Sequence, residues 1–204
     1  YTTLFRSQLD RQAGALTREQ TAQVRSHPVH SAEQLAAMGV TDALWLQLVQ
    51  QHHERCDGSG YPRGLRGEAI LPGARLLAVA DSYAAMVTPR ANRTGQLPRD
   101  ALRALFLERS RLYEDALVQL SIKTLTMHPP GTLARLANGE LAVVRSRQKH
   151  DAPLDLWSLY DSNGMPVMRP QRCDAADPAH GIVGALRVEE CRSAALVLKR
   201  LWTH

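Results

Sequence analysis

Two adjacent histidines end an apolar segment and lead directly into a loop interrupted by glycines and prolines. Residues 52–62 read HHERCDGSGYP, and residues 41–51 before them carry apolar side chains three to four positions apart. That spacing predicts an amphipathic helix capped by Thr41 that ends at the histidine pair. Gly and Pro recur through residues 56–73, which predicts an irregular loop ordered by its contacts. The fold must therefore present two imidazoles at a helix end, beside a loop of specific shape.

Further helices are predicted on both sides of this loop. Thr17 and Gln20 have the spacing of a capping box. We expect Pro28 to interrupt that helix, and a second helix to follow as far as Gly39. Only 5% of the 204 residues are aromatic although 44% are hydrophobic, which favours a helical core of Leu, Ala and Val. Three more helices are predicted, over residues 73–87, 98–110 and 112–127.

After residue 128, short segments that suit strands replace the helical pattern. LARLA, ELAVVRS and LDLWSLYD are separated by turn residues, and Asn138-Gly139 and Asn163-Gly164 are typical of hairpin turns. The fold class is therefore mainly α, followed by a small β-rich module. We place the helical domain at residues 8–128 and the β module at 129–204. YTTLFRS at residues 1–7 resembles a translated sequencing adapter and is interpreted as an artefact.

Charge and cysteine content limit the partners and the compartment. The net charge of +5 suits a phosphate-bearing partner, but it is too small to predict nucleic-acid binding. Cys56, Cys173 and Cys191 have no CxxC spacing, so neither a disulfide framework nor a structural zinc site is predicted. We therefore expect a reduced, cytoplasmic location. No apolar run reaches the roughly 18–20 residues that span a bilayer, and no signal peptide is visible.

Four residues are candidate metal ligands: His27, His52, His53 and Asp81. Imidazole and carboxylate together suit divalent iron, manganese or zinc. Neighbouring helical residues point about 100° apart, so the two adjacent histidines would serve two metals, or one metal and a substrate. Asp81 lies within an apolar helix and is expected to be buried, which requires a cationic partner. Alternatively, His27 is a cap or surface histidine, and Asp81 bonds Arg75.

Long segments of the chain resemble one family of bacterial signalling enzymes. HHERCDGSGYPRGLRGEAILPGARLLAVADSYAAMVTPR resembles the second half of the HD-GYP domain, and GALTREQTAQVRSHP resembles the segment before it. The resemblance covers residues 8–127 and implies a partial HD-domain helical bundle. It implies hydrolysis of cyclic di-GMP to pGpG or GMP by a divalent metal cluster, with iron or manganese as the expected metal. HPPGTLARLANGELAVV is similar to a β-rich extension found after many such domains.

The resemblance also assigns roles to individual residues. The four candidate ligands named above match the metal ligands of the family. Gly60, Tyr61 and Pro62 match the signature loop, which is implied to shape the substrate site and to contact partner proteins. Arg90 and Arg93 match positions that hold the ligand's phosphates. Their spacing of three places both on one face if that stretch is helical; otherwise they are a solvated pair.

Two departures from the family pattern leave the activity open. Alignment would place the name-giving His-Asp pair just before position 1, so we expect this chain to lack it. His150-Asp151 is interpreted as a surface turn. Ala84 stands where the family has a second aspartate. We therefore expect no complete catalytic set, weak metal binding and no measurable hydrolysis. The alternatives are a non-catalytic ligand sensor or protein-interaction module, and a phosphohydrolase for another nucleotide.

Overall fold

A computed structural model describes Gln12 and residues 14–90, 93–146, 153–174 and 176–191 of the chain. The adapter interpretation of residues 1–7 and the turn predicted at His150-Asp151 lie outside the described residues. The chain divides into two compact units. Tyr1–Thr94 and Ala101–Ser121 form the first, and Gly95–Asp100 and Ile122–His204 form the second. The chain therefore leaves the first unit, returns to it, and leaves it again.

Among the described residues, five α-helices confirm the mainly helical character predicted for the region before residue 129. Their order along the chain matches the sequence prediction, except at Pro28. None of the helices in the described part of the chain is long and apolar enough to cross a membrane. The helices are α1 (Arg18–Ala37), α2 (Ala43–Gln51), α3 (Pro72–Val87), α4 (Pro98–Leu107) and α5 (Asp115–Leu125).

Helix α1 begins as the sequence predicts but does not end at Pro28. The Thr17 hydroxyl accepts a hydrogen bond from the Gln20 amide at 3.2 Å, and the Gln20 side chain accepts one from the Thr17 amide at 2.9 Å. The predicted break at Pro28 is wrong, because α1 continues to Ala37. Pro28 is buried and has no N–H to donate to the Val24 carbonyl oxygen. The His27 side chain donates to that oxygen instead.

The ends of α2 and the start of α3 set the position of the histidine pair. Asp42, rather than Thr41, caps α2 by accepting a hydrogen bond from the Trp45 amide at 3.1 Å. Near the start of α3, a Cβ at Gly73 would lie 2.8 Å from Leu48 of α2. The start of α3 therefore packs closely against the Leu48 side chain of α2.

Five antiparallel strands form the sheet of the second unit, which confirms the predicted β-rich module. Both Asn-Gly turns lie between adjacent strands, with φ of +89° at Gly139 and +77° at Gly164. Apolar side chains cover both faces: Val143 lies in one buried cluster, and Ala142 and Val144 lie in another. The strand order is β4-β3-β2-β1-β5, with β1 (Leu133–Leu136), β2 (Leu141–Ser146), β3 (Asp155–Tyr160), β4 (Pro166–Arg172) and β5 (Ile182–Leu186).

Candidate metal centre

Three imidazoles from two helices converge in the first unit. His27 lies on α1, and His52 and His53 follow the last residue of α2. One ligand atom from each histidine lies within 4.8 Å of the other two. The ring centroid of His27 lies 5.4 Å from that of His52 and 4.8 Å from that of His53. Three half-buried nitrogen ligands at this separation fit one divalent cation after small side-chain movements.

The two adjacent histidines do not point in divergent directions. Helix α2 ends at Gln51, so His53 lies in the following turn rather than on a continuing helix. The rings of His52 and His53 lie 4.0 Å apart between centroids, at an interplanar angle of 39°. The helical divergence expected from the sequence is therefore wrong, and both rings can face one ion.

Backbone carbonyls fix the orientation of two of the rings. The Nδ1 atom of His27 lies 2.6 Å from the Val24 carbonyl oxygen, and Nδ1 of His52 lies 2.6 Å from that of Val49. A carbonyl oxygen only accepts, so each Nδ1 carries the hydrogen and each Nε2 carries the lone pair. Metal-binding histidines commonly have such a backbone acceptor at the second nitrogen. Histidines 27 and 52 therefore have the tautomer of a metal ligand.

Asp81 on α3 lies beside this cluster. Its Oδ2 atom is 3.8 Å from Nδ1 of His53, which is longer than a hydrogen bond but within ion-pair range. The side chain is 41% exposed, so the expected burial is wrong. The buried residues of α3 are Ala74, Ala78 and Val79.

The alternative pairing of Asp81 with Arg75 does not occur in the structure. Arg75 instead forms an ion pair with Glu114 at 2.8 Å. Asp81 is not part of the group whose ligand atoms all lie within 4.8 Å of one another, and its contact with that group is the one to His53. Nitrogen and oxygen ligands of this kind fit the metals that the sequence suggests.

A buried glutamate organises the loop that follows the histidines. Glu54 is 1% exposed, and its carboxylate accepts hydrogen bonds from the amides of Arg63 at 2.7 Å and Leu65 at 2.9 Å. At Gly60, a Cβ would lie 2.4 Å from the Arg55 amide nitrogen, so any side chain would strike the backbone. Sequence reasoning missed Glu54, although an acidic residue between a His-His pair and a glycine-rich loop is a usable signal.

The loop carries Tyr61 to the edge of the cluster. The Tyr61 amide donates to the His53 carbonyl at 3.2 Å, and the two rings lie 4.8 Å apart between centroids. The Tyr61-Pro62 peptide is cis, and Pro62 is exposed. Burial raises the pKa of the Tyr61 hydroxyl, with Arg55 and Arg25 acting in the opposite direction. The hydroxyl is therefore protonated at neutral pH and available as a donor beside the histidines.

Arg90 and Arg93 do not lie on a helix. Helix α3 ends at Val87, and the two arginines exchange backbone hydrogen bonds of 2.8 and 3.1 Å. The guanidinium of Arg93 donates to the Ala85 carbonyl oxygen, and both residues are exposed. The common helical face considered for this pair is therefore wrong.

Two other arginines, which sequence reasoning missed, lie close to Tyr61. The guanidinium carbon of Arg25 is 5.4 Å from the Tyr61 ring centroid. Arg55 donates to the Ser82 hydroxyl at 3.2 Å and packs over Tyr113 at 5.2 Å from its ring centroid. Each arginine is two positions from a cluster histidine, and that proximity in sequence could have identified both.

Comparisons with known proteins identify the family of the chain. Residues 6–117 match the HD domain family. The chain is 35% identical over 131 residues to the cyclic di-GMP phosphodiesterase PA4108 of Pseudomonas aeruginosa, covering 64% of this chain and 31% of that protein. It is 35% identical over 117 residues to the cyclic di-GMP phosphodiesterase response regulator RpfG of Xanthomonas campestris, covering 54% and 29%. The chain therefore spans about a third of the length of these relatives.

A shorter match has higher identity. Over 39 residues the chain is 56% identical to the 3'3'-cGAMP-specific phosphodiesterase 1 of Vibrio cholerae, covering 19% of this chain and 9% of that protein. The relatives thus include phosphodiesterases named for two different cyclic dinucleotides.

Proposed function

Because the chain belongs to the HD domain family, we propose that its helical unit is part of a metal-dependent phosphodiesterase that acts on cyclic di-GMP. The observation that carries this proposal is the convergence of His27, His52 and His53 within 4.8 Å, beside Asp81. We further propose iron or manganese as the metal, the cytoplasm as the location, and partner proteins at the loop of residues 60–62.

The described side chains would have different roles in such a centre. His27 and His52 would each offer Nε2, since their Nδ1 atoms are held by backbone carbonyls. Asp81 would balance part of the cationic charge. A bound divalent cation supplies an activated water at neutral pH and neutralises charge on the phosphate oxygens.

The substrate's phosphodiester would contact the guanidinium groups and the hydroxyl group near Tyr61. Arg25 and Arg55 both lie close enough to influence the pKa of its hydroxyl. A guanidinium can donate two parallel hydrogen bonds to phosphate oxygens, which makes these two arginines suitable for a phosphodiester. We propose them as phosphate contacts in addition to Arg90 and Arg93, which the family resemblance suggests.

Manganese and cyclic di-GMP titrations of the 204-residue chain test this function. We expect Mn²⁺ binding that is weakened at least about tenfold in His52→Ala, and dinucleotide binding that strengthens when Mn²⁺ is present. His30→Ala is the matched control, because His30 is an exposed histidine on the same helix as His27. Unchanged Mn²⁺ affinity in His52→Ala, or equal loss in His30→Ala, would contradict the proposal.

A non-catalytic sensor is the second candidate, and Ala84 is the observation that favours it. Ala84 lies one turn after Asp81 on α3 and is exposed, at the position where the family has an aspartate. A sensor would bind the cyclic dinucleotide without releasing pGpG. Binding of 3'3'-cGAMP in preference to cyclic di-GMP would instead assign the centre to another cyclic dinucleotide.

A further inference from the structure

Three potential metal ligands of different chemistry meet in the β-rich unit. One ligand atom each from Glu140, Cys173 and His180 lies within 4.8 Å of the other two. Glu140 precedes β2, Cys173 directly follows β4, and His180 ends a short 3-10 turn before β5. Because the three are 33 and 7 positions apart in the chain, no spacing motif predicts this cluster.

Backbone hydrogen bonds bring the three positions together. The Ala137 amide donates to the Gly181 carbonyl at 2.9 Å, and the Asn138 amide donates to the Ala179 carbonyl at 2.8 Å. These bonds hold the β1–β2 turn against the segment that carries His180. The Cys173 amide donates to the Leu156 carbonyl at 2.8 Å, which fixes the third position on the sheet. The cluster is thus formed by main-chain structure rather than by flexible side chains alone.

The ring of His180 has the tautomer of a metal ligand. Its Nδ1 atom lies 2.9 Å from the Asp174 carbonyl oxygen and 3.8 Å from the Asp177 carboxylate. Since the carbonyl can only accept, Nδ1 carries the hydrogen and Nε2 carries the lone pair. This backbone contact is the same kind that orients His27 and His52 in the helical unit.

Charge and burial also favour a cation at this position. Cys173 is buried, with 8% of the residue exposed, and Glu140 and His180 are partly buried. In the part of the chain that the structure describes, no Lys or Arg forms an ion pair with the Glu140 carboxylate. A cation bound here would be neutralised by the Glu140 carboxylate and by the thiolate that Cys173 forms when it binds the ion.

We propose that Glu140, Cys173 and His180 form a separate binding site for a zinc-class divalent cation. Thiolate, imidazole and carboxylate are the three ligand types that Zn²⁺ takes in proteins, and a water would occupy the fourth tetrahedral position. The thiol loses its proton when the cation binds, so binding releases about one proton per ion. The ion would join the β1–β2 turn, the end of β4 and the turn before β5.

Cobalt titration of the full 204-residue chain tests the site, since Co²⁺ bound by a thiolate gives a charge-transfer absorption in the near ultraviolet. We expect this absorption in the reduced wild-type chain and its loss on adding Zn²⁺. Cys173→Ser should abolish it, and His180→Asn and Glu140→Gln should each weaken cobalt binding at least about tenfold. Histidine-only binding by the helical cluster gives no thiolate band, so the two sites are distinguished.

Two cysteine variants serve as matched controls. Cys191→Ser changes an equally buried cysteine of the same unit, and Cys56→Ser changes a cysteine of the helical unit. Both should keep the absorption at unchanged affinity. His180 is only partly buried, so His180→Asn tests the site even if Cys173→Ser unfolds the chain. The proposal is overturned by an absent wild-type band, by loss of the band in either control, or by unchanged affinity in both His180→Asn and Glu140→Gln.

Discussion

The Nδ1 atom of His27 lies 2.6 Å from the carbonyl oxygen of Val24 and donates a hydrogen bond to it. In a regular helix, the backbone N–H of residue 28 would donate to that oxygen. Pro28 has no N–H, so the carbonyl is available to orient the imidazole. The proline that was expected to break the helix thus has a role inside it. Pro28 is buried in α1. Because Nδ1 of His27 donates to the free carbonyl, its Nε2 atom is the nitrogen that can bind a metal.

Pro28→Ala should weaken cation binding at the histidine cluster by about tenfold, as loss of an orienting contact typically does. The new amide would compete with His27 for the Val24 carbonyl. Mn²⁺ titration measures the affinity, and nitrogen-15 NMR of the rings reports the tautomers. His52 should keep its Nδ1–H tautomer and is the internal control, because its acceptor is Val49. Unchanged affinity together with an unchanged His27 tautomer would refute this role.

Glu54→Gln should lower the free energy of unfolding by about 1.5–3 kcal/mol, the usual range for hydrogen bonds to a charged acceptor. The buried carboxylate accepts from two backbone amides, and an amide side chain offers only one oxygen. Urea unfolding of the chain measures the change. Glu68→Gln is the control, since Glu68 is exposed on the same loop. Equal stability of the two variants would show that Glu54 does not anchor the loop.

Gly60→Ala should be destabilising by about 1–3 kcal/mol, because the added methyl group overlaps backbone atoms. The overlap involves the Arg55 amide nitrogen and the Glu54 Cα atom, neither of which is a flexible side-chain end. Thermal unfolding gives the comparison. Gly14→Ala meets no atom within 4 Å and should change little. A Gly60→Ala chain as stable as Gly14→Ala would mean that the loop shifts freely.

Ala84→Asp should increase cation affinity at the helical centre by about tenfold, equivalent to roughly 1.4 kcal/mol. The new carboxylate would lie one turn from Asp81 on α3. Ala84→Asn adds a side chain of the same shape without the charge and should leave Mn²⁺ affinity nearly unchanged. If the Asn variant gains as much as the Asp variant, the effect is not electrostatic.

His128 should make the chain less stable in mild acid. Burial lowers the pKa of its imidazole, with Arg99 adding to the effect, and the buried Nδ1 atom has no hydrogen-bond partner among the residues that the structure describes. The unfolded chain therefore binds a proton more readily than the folded chain, so stability falls as pH drops from about 7 to 5. His128→Gln should reduce this slope in urea midpoints, whereas His30→Gln, at an exposed position, should not.

The sequence predicted most of the secondary structure because local patterns determine it. The capping box at Thr17, the apolar periodicity of α2 and the two Asn-Gly turns are all short-range signals. The errors involve long-range contacts. Pro28 stays in a helix because a neighbouring imidazole satisfies the freed carbonyl. Asp81 is half exposed because α3 buries a different face.

The candidate centre was predicted only as a set of ligand residues. Their identity follows from the resemblance to the HD-GYP family, but the contacts of Glu54, Arg25 and Arg55 depend on how the loop folds back. The cluster of Glu140, Cys173 and His180 lies on three separate connections of the sheet. No local pattern can indicate a site whose members meet only after the strands have paired.

The return of the chain to its first unit after Asp100 decides how the protein can be divided for experiments. A fragment of residues 129–204 would omit Gly95–Asp100, and with them the hydrogen bond of 3.2 Å from the Gly95 amide to the Glu189 carboxylate. No single cut between residues preserves both units intact. Separate expression would require a permuted order of segments, with a linker that rejoins residue 100 to residue 122.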